Sequence, residues 1–300
     1  MKPGKGERMA QVLLAALKSG CYLALFLGAQ VLVMLPVVIA TIAQSMMGDG
    51  PPDEGLFAAM LNEQAMVYSL IANLLTLAVV LIFYLARRKK LGDALWLRRV
   101  DGPALWTGAS LAPALYVVVI SVLALLPEAW TESYSEASAG ITTGGVVGVI
   151  AVALAAPVVE EIIFRGLIMT RLSRAMPGWL AVLLSAAVFG ACHGNPVWFG
   201  YAFVLGAFFG LIDLRAGSIW PSILGHVVFN SISQILSIVP ETEEGTELAA
   251  AMAVLLAVAI ILPILGRKGI AALFRPRPKT VLVQEPFAMP GVYDFDPWAE

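Results

Sequence analysis

The chain has 300 residues, 59% hydrophobic and 13% charged, with a mean hydropathy of +0.85 and a formal net charge of −2. A soluble domain carries about a quarter charged residues, so composition argues against a soluble globular enzyme and for a bilayer as solvent. The balanced charge gives no basic field for nucleic acid, and the two cysteines, Cys21 and Cys192, sit in apolar runs without metal-ligand spacing, which argues against a disulfide scaffold.

The N-terminus carries Lys2, Lys5 and Arg8, followed by an apolar run at 19–43. The apolar region of a signal peptide is only about 7–15 residues long, so this run is read as an uncleaved first span. Further apolar runs lie at 66–86, 104–126, 144–170, 178–193, 197–214, 218–239 and 248–266, each long enough, or nearly so, to cross the hydrocarbon core. The stretch GDGPPDEG at 48–55 reads as a loop. Leu91 to Val100, LGDALWLRRV, mixes Leu and Trp with Arg and is expected to lie along the membrane interface. The tail from Arg267 starts basic, turns Pro-rich and is expected to be disordered. The predicted fold is all-α, a polytopic membrane helix bundle of about eight transmembrane helices. Residues 1–143 form the first three spans with a cytoplasmic interfacial segment at 87–103. Residues 144–240 form the core that carries the chemistry, 241–266 the last span, and 267–300 a cytoplasmic tail.

Charge sets the expected orientation. The connections at 45–65, 128–143 and 240–247 hold acids such as Asp49, Glu54, Glu132 and Glu244 and no Lys or Arg. The alternate connections hold Arg87, Arg88, Lys89, Lys90, Arg98, Arg99, Arg171, Arg174 and Arg215, and both termini are basic. Basic connections mark the cytoplasmic side, which puts both termini inside. An integral, multi-pass protein of a bacterial inner membrane is the expected location.

Ionisable residues within membrane spans are costly and mark function. The fourth run contains Glu160, Glu161 and Arg165 in an otherwise apolar helix. Glu161 and Arg165 are four apart and can pair, whereas Glu160 is rotated by about 100° and can face elsewhere. The three charges could equally form a network that only fixes helix packing. Both histidines of the chain bear on this choice: His193 closes the fifth run before Gly194 and Pro196, and His226 lies in the seventh, four residues before Asn230. Pro177-Gly178 marks a turn between the fourth and fifth runs. Glu160 lies 17 residues before Pro177 and His193 16 after it, so an antiparallel hairpin brings both to nearly the same depth, about 25 Å from the turn. Ser173, Ser185 and Ser222 lack a Gly-x-Ser-x-Gly setting. Cys192 adjoins His193 in sequence but points about 100° away on a helix, which disfavours a Cys–His dyad. Gly206 and Gly210 read as a close-packing pair.

Glu160-Glu161-x-x-x-Arg165, Phe189-x-x-x-His193 and His226-x-x-x-Asn230 resemble the three motifs of the CPBP intramembrane proteases, also called Abi or CAAX-protease-like, a family that includes the Ras-converting prenyl endopeptidase. The resemblance covers about residues 145–240. It implies that Glu160 is the general base, that His193 helps hold the attacking water, that His226 and Asn230 stabilise the oxyanion, and that Glu161 and Arg165 support the site. It implies an endopeptidase that cuts near the cytoplasmic membrane face. The chemistry agrees, since hydrolysis needs a base for water and preoriented donors for the oxyanion.

The family is often labelled a metalloprotease, while its prenyl-endopeptidase branch is described as metal-independent. No HExxH motif is present, and the reading favours no cofactor. A divalent metal such as zinc would take Glu160, Glu161, His193 and His226 as ligands. Expected partners are the lipid bilayer and a membrane-associated or lipidated peptide or protein substrate, with no nucleic acid. Two other classes stay open: an ion-coupled transporter, since Glu, His and Asn suit ion pathways, and a non-catalytic binding or immunity protein of the same fold.

Overall fold

The computed structural model describes residues 5–47, 54–139, 145–237 and 246–273. Regular structure among them is helical throughout. The elements are α1 (Lys5–Met47), α2 (Glu54–Ala86), α3 (Leu91–Ala94), α4 (Gly102–Leu105), α5 (Thr107–Leu125), α6 (Glu128–Ala139), α7 (Gly145–Leu172), α8 (Gly178–Ala191), α9 (Pro196–Ala216), α10 (Trp220–Ser237), α11 (Thr246–Leu265) and α12 (Arg267–Leu273). Most of the 48–55 loop and residues 274–300 of the tail lie outside the described residues, while the start of the tail, expected to be disordered, is helix α12.

Each of the eight apolar runs is helical where described. Among the described residues, five stretches are long and apolar enough to cross a membrane: those within α1 and α2, the continuous α4–α5 stretch, α7, and α9. Helix α8 and the apolar part of α11 are shorter. Helix α10 has 18 residues but carries Ser222, His226, Asn230 and Gln234 along its length. Large apolar side chains point outward along the long helices, among them Val31, Ile82, Leu125 and Val204. In water such a surface would aggregate; against acyl chains it is solvated.

Helix α7 is the centre of the core, and residues 161–170 are all buried. It is not a regular α-helix. Pro157 has no N–H to donate, and its ring conflicts with the carbonyl four residues back. The turn before it widens, so that the Ala156 N–H bonds the Ala151 carbonyl five residues back. Stretches Ile150–Ala155 and Glu161–Met169 are π-helical, a form that recurs at functional sites. Helices α1 and α2 pack against α7, as do α8 and α10, and α8 and α9 form a close hairpin.

Glycine lets three backbones approach α7 and α10. A Cβ on Gly108 of α5 would collide with the Pro221 backbone carbonyl of α10. A Cβ on Gly206 of α9 would lie 3.1 Å from both the Ala186 side chain and Arg165 Nη2, in keeping with the close packing expected there. A Cβ on Gly166 of α7 would lie 2.7 Å from the Leu95 carbonyl.

That last contact shows how the 91–100 segment, expected along the membrane interface, is packed against the bundle. Leu95 is fully buried. The Trp96 carbonyl accepts from Ile219 N–H at 3.1 Å, and the Arg98 carbonyl accepts from Ser218 Oγ at 2.8 Å. The segment is pinned to the start of α10 because Leu95 and Trp96 are too apolar to stay at the rim. The 128–143 connection also differs from a simple loop. Its first part is helix α6, which folds over the α8–α9 turn: Asn195 Nδ2 donates to Ser133 Oγ at 3.0 Å, and the Tyr134 ring packs edge-on to Trp198 at 5.7 Å. The acidic α6 and the basic segments near Arg98 and Arg171 thus stand at opposite ends of the α8–α9 hairpin.

Candidate active site

Helices α7, α8 and α10 bring the motif residues together. Glu161 is fully buried, and its Oε1 lies 3.1 Å from Arg165 Nη1, so the pair expected from the four-residue spacing is formed. The same oxygen lies 2.8 Å from His226 Nδ1. A carboxylate tied to arginine accepts, so Nδ1 donates and carries a proton. This orients the imidazole with Nε2 on the far side, 3.8 Å from Glu160 Oε2. That gap is too long for a direct hydrogen bond, but one water at about 2.8 Å from each atom would close it. Glu160 is partly exposed at 18%, whereas Glu161 is sealed. The two adjacent glutamates face different surroundings, as their rotation about the helix requires.

His193 follows the C-terminus of α8. Its Nδ1 donates to the Phe189 carbonyl at 2.9 Å, because a carbonyl only accepts. Nε2 is left with the lone pair when the ring is neutral. The α7–α8 turn falls at Pro177, directly before Gly178 starts the helix. The water-sharing partner placed nearest Glu160 is His226, from the third motif.

Asn230 lies one turn after His226 on α10. Its Nδ2 donates to the Val152 carbonyl at 2.8 Å. Val152 sits in the first π-helical stretch of α7, where the widened turn offers its carbonyl. One amide N–H is thereby committed, and the second remains for a ligand.

Two residues carry a part in the site that the sequence did not assign them. Phe189 is the hub of the site. Arg165 lies over its ring at 4.4 Å, and the rings of His193 and His226 meet it at 4.9 and 5.9 Å. Phe209 completes a sandwich around His226, with centroids 6.0 Å apart. The signal was the four-residue step from Phe189 to His193. Asp213 of α9 is fully buried, its Oδ1 accepts from Ser222 N–H at 3.2 Å, and its Oδ2 has no hydrogen-bond partner among the described residues. An acid inside an apolar run was the available signal.

The donor set suits a metal poorly. Glu161 Oε1 is committed to Arg165 and to His226 Nδ1, and the guanidinium beside it would repel a cation. Among the described residues, no three His, Cys, Asp or Glu side chains stand close enough to share a metal ion. The serine hydroxyls are committed to backbone: Ser185 Oγ donates to the Phe164 carbonyl at 2.8 Å and Ser222 Oγ to the Ile219 carbonyl at 2.9 Å.

Residues 142–232 match the model of the type II CAAX prenyl endopeptidase Rce1-like family, the family that the three motifs resemble. That stretch runs from α7 into α10 and takes in every residue of the site. Comparison with curated proteins and with solved structures gave no match.

Proposed function

We propose that the chain is a CAAX-protease-like intramembrane endopeptidase that hydrolyses a peptide bond with a glutamate-activated water. The observation that carries this reading is His226 bridging the two glutamates, with Nδ1 2.8 Å from Glu161 and Nε2 3.8 Å from Glu160. Water would lie between Glu160 Oε2 and His226 Nε2; when that nitrogen carries a proton it donates to the water, whose own two protons go to Glu160 and to the lone pair of His193 Nε2. Glu160 takes one proton as the water oxygen attacks the carbonyl carbon. The carbonyl oxygen becomes an oxyanion and accepts from the free Asn230 N–H and from His226 when Nε2 is protonated. Glu160 then gives its proton to the leaving amine as the C–N bond breaks. Glu161 fixes the tautomer and orientation of His226, the part a buried carboxylate plays in a catalytic triad. Arg165 and Phe189 hold Glu161 and the imidazole rings in place. No step needs a metal.

The match to a membrane protease family and the apolar helices support a substrate presented in the bilayer. Glu160 lies 11 residues before Arg171, about 16 Å along the helix from the basic end, so the scissile bond must enter the membrane from that side or laterally. The test is cleavage by the purified protein of a panel of prenylated, otherwise lipidated and unmodified peptides, with and without chelator. Cleavage that persists in chelator is the expected result. Failure to cut any member would favour a non-catalytic protein of the same fold, and loss of activity in chelator would replace the glutamate mechanism with a metal-dependent one.

The basic connections are read as cytoplasmic. A single cysteine at Lys90 or at Glu132, both exposed, in a chain lacking Cys21 and Cys192, reports the side. Position 132 is expected to label from outside intact cells and position 90 only after permeabilisation; the reverse would invert the topology.

A further inference from the structure

Arg171 closes α7 in a setting unlike that of Arg165. Its Nη2 donates to Tyr84 Oη at 3.3 Å, and Tyr22 lies beside the same guanidinium. The two phenol oxygens lie 2.7 Å apart, so one O–H donates to the other oxygen. Tyr84 is buried, while Tyr22 and Arg171 are half-buried. No carboxylate contacts Arg171 among the described residues.

The donors and acceptors do not balance. A guanidinium carries five N–H groups and each phenol one O–H, while the only acceptors in the cluster are two phenol oxygens. After the internal bonds are made, one phenol O–H and several guanidinium N–H groups remain. The cluster also keeps a full positive charge, half desolvated and partnered only by neutral groups, which is costly unless an anion completes it. Further positive charge surrounds it. Lys18 lies one turn before Tyr22 on α1, and Arg87 and Arg88 follow Tyr84 at the end of α2; all three are exposed. The missing component is a compact anion with several acceptor oxygens, for which arginine forks and hydroxyl donors are suited. The flanks are apolar: Leu17 on α1 and Phe83 and Leu85 on α2 point outward, where acyl chains would lie.

We propose that Arg171, Tyr22 and Tyr84 form a binding site for the phosphate of an anionic phospholipid at the basic end of the bundle. The phosphate accepts from the guanidinium and from the spare phenol O–H. Lys18 and Arg87 supply attraction, and the acyl chains run along the outer faces of α1 and α2. The site joins three elements, α1, α2 and the end of α7, so lipid bound there ties the N-terminal helices to the core. It is independent of the chemistry assigned to Glu160 and His226.

The test measures thermal unfolding of the full chain in detergent micelles titrated with phosphatidylglycerol, phosphatidylcholine or inorganic phosphate, with native mass spectrometry to count retained lipid. Phosphatidylglycerol is expected to raise the unfolding midpoint and stay bound, while phosphatidylcholine does neither. In Arg171→Gln the apparent affinity for phosphatidylglycerol is expected to fall about tenfold or more, the scale of one lost charge-assisted hydrogen bond. Arg99→Gln removes an exposed charge outside the cluster and is expected to keep the response. If Arg171→Gln does not fold, the double change Tyr22→Phe, Tyr84→Phe decides, since it keeps both rings and removes both phenol donors; its response must fall. Equal stabilisation by both lipids, or a full response in Arg171→Gln or in the double Phe variant, would overturn the site. An equal shift with inorganic phosphate alone would overturn the lipid and leave a free-anion site.

Discussion

Glu160→Gln is expected to lower peptide turnover by about 10²–10⁴-fold, the usual contribution of a general base, with little change in thermal stability. Glutamine keeps the shape of the side chain and an oxygen that can hold water, but it cannot take the proton. Stability should hold because Glu160 is partly exposed and its nearest charged partner is His226 Nε2 at 3.8 Å, beyond hydrogen-bonding range. His226 keeps its orientation through the separate 2.8 Å bond to Glu161. Binding of an uncleaved peptide should therefore persist while turnover collapses. Cleavage rate and melting midpoint measured on the same preparation check both halves. Near wild-type turnover would remove Glu160 from the base position. An inactive variant that also melts early would leave the base unproven, and Glu160→Asp then decides: it restores a carboxylate, and some turnover must return.

Much of this site could be read from residue spacing. The four-residue step from Glu161 to Arg165 requires a shared face, and the two side chains meet at 3.1 Å. Pro177-Gly178 marks the hairpin turn because proline suits a helix start and cannot continue the preceding one. What spacing could not supply is the identity of the partner across helices. Equal depth suggested His193 for Glu160, but depth says nothing of rotation, and it did not foresee that His226 turns to both glutamates. The π-helical turns were equally hidden. Pro157 removes one backbone donor, but whether a helix kinks or widens at a proline depends on its neighbours, here α2 and α10 packed against α7. The Asn230 bond to Val152 depends on that widening. The inward packing of the 91–100 segment was not legible from its Leu, Trp and Arg content, which is that of an interfacial strip; Gly166 leaves room for the Leu95 backbone to enter.

Breaking the Glu161–Arg165 pair is expected to have the largest effect on stability. Both side chains are at most 1% exposed. Arg165→Leu strands a carboxylate in the core and removes the cation above the Phe189 ring; Glu161→Leu strands the guanidinium and removes the acceptor that orients His226. Each single change should cost about 3–5 kcal/mol, because a buried charge without its partner retains the full desolvation penalty. The double change Glu161→Leu, Arg165→Leu should cost much less than the sum, since it removes both charges and leaves apolar side chains in an apolar site. Chemical denaturation in detergent across this cycle yields the coupling energy. Strictly additive costs, or single variants within about 0.5 kcal/mol of the parent, would mean that the pair does not hold α7 in place. Glu161→Gln separates support from catalysis, because its amide oxygen can still accept from His226 Nδ1. It should lose stability with Arg165 unpaired, yet each folded molecule should keep far more turnover than Glu160→Gln retains. If the two glutamine variants lose turnover equally, the division of labour between the adjacent glutamates is wrong, and the base is Glu161 or the pair acting as one.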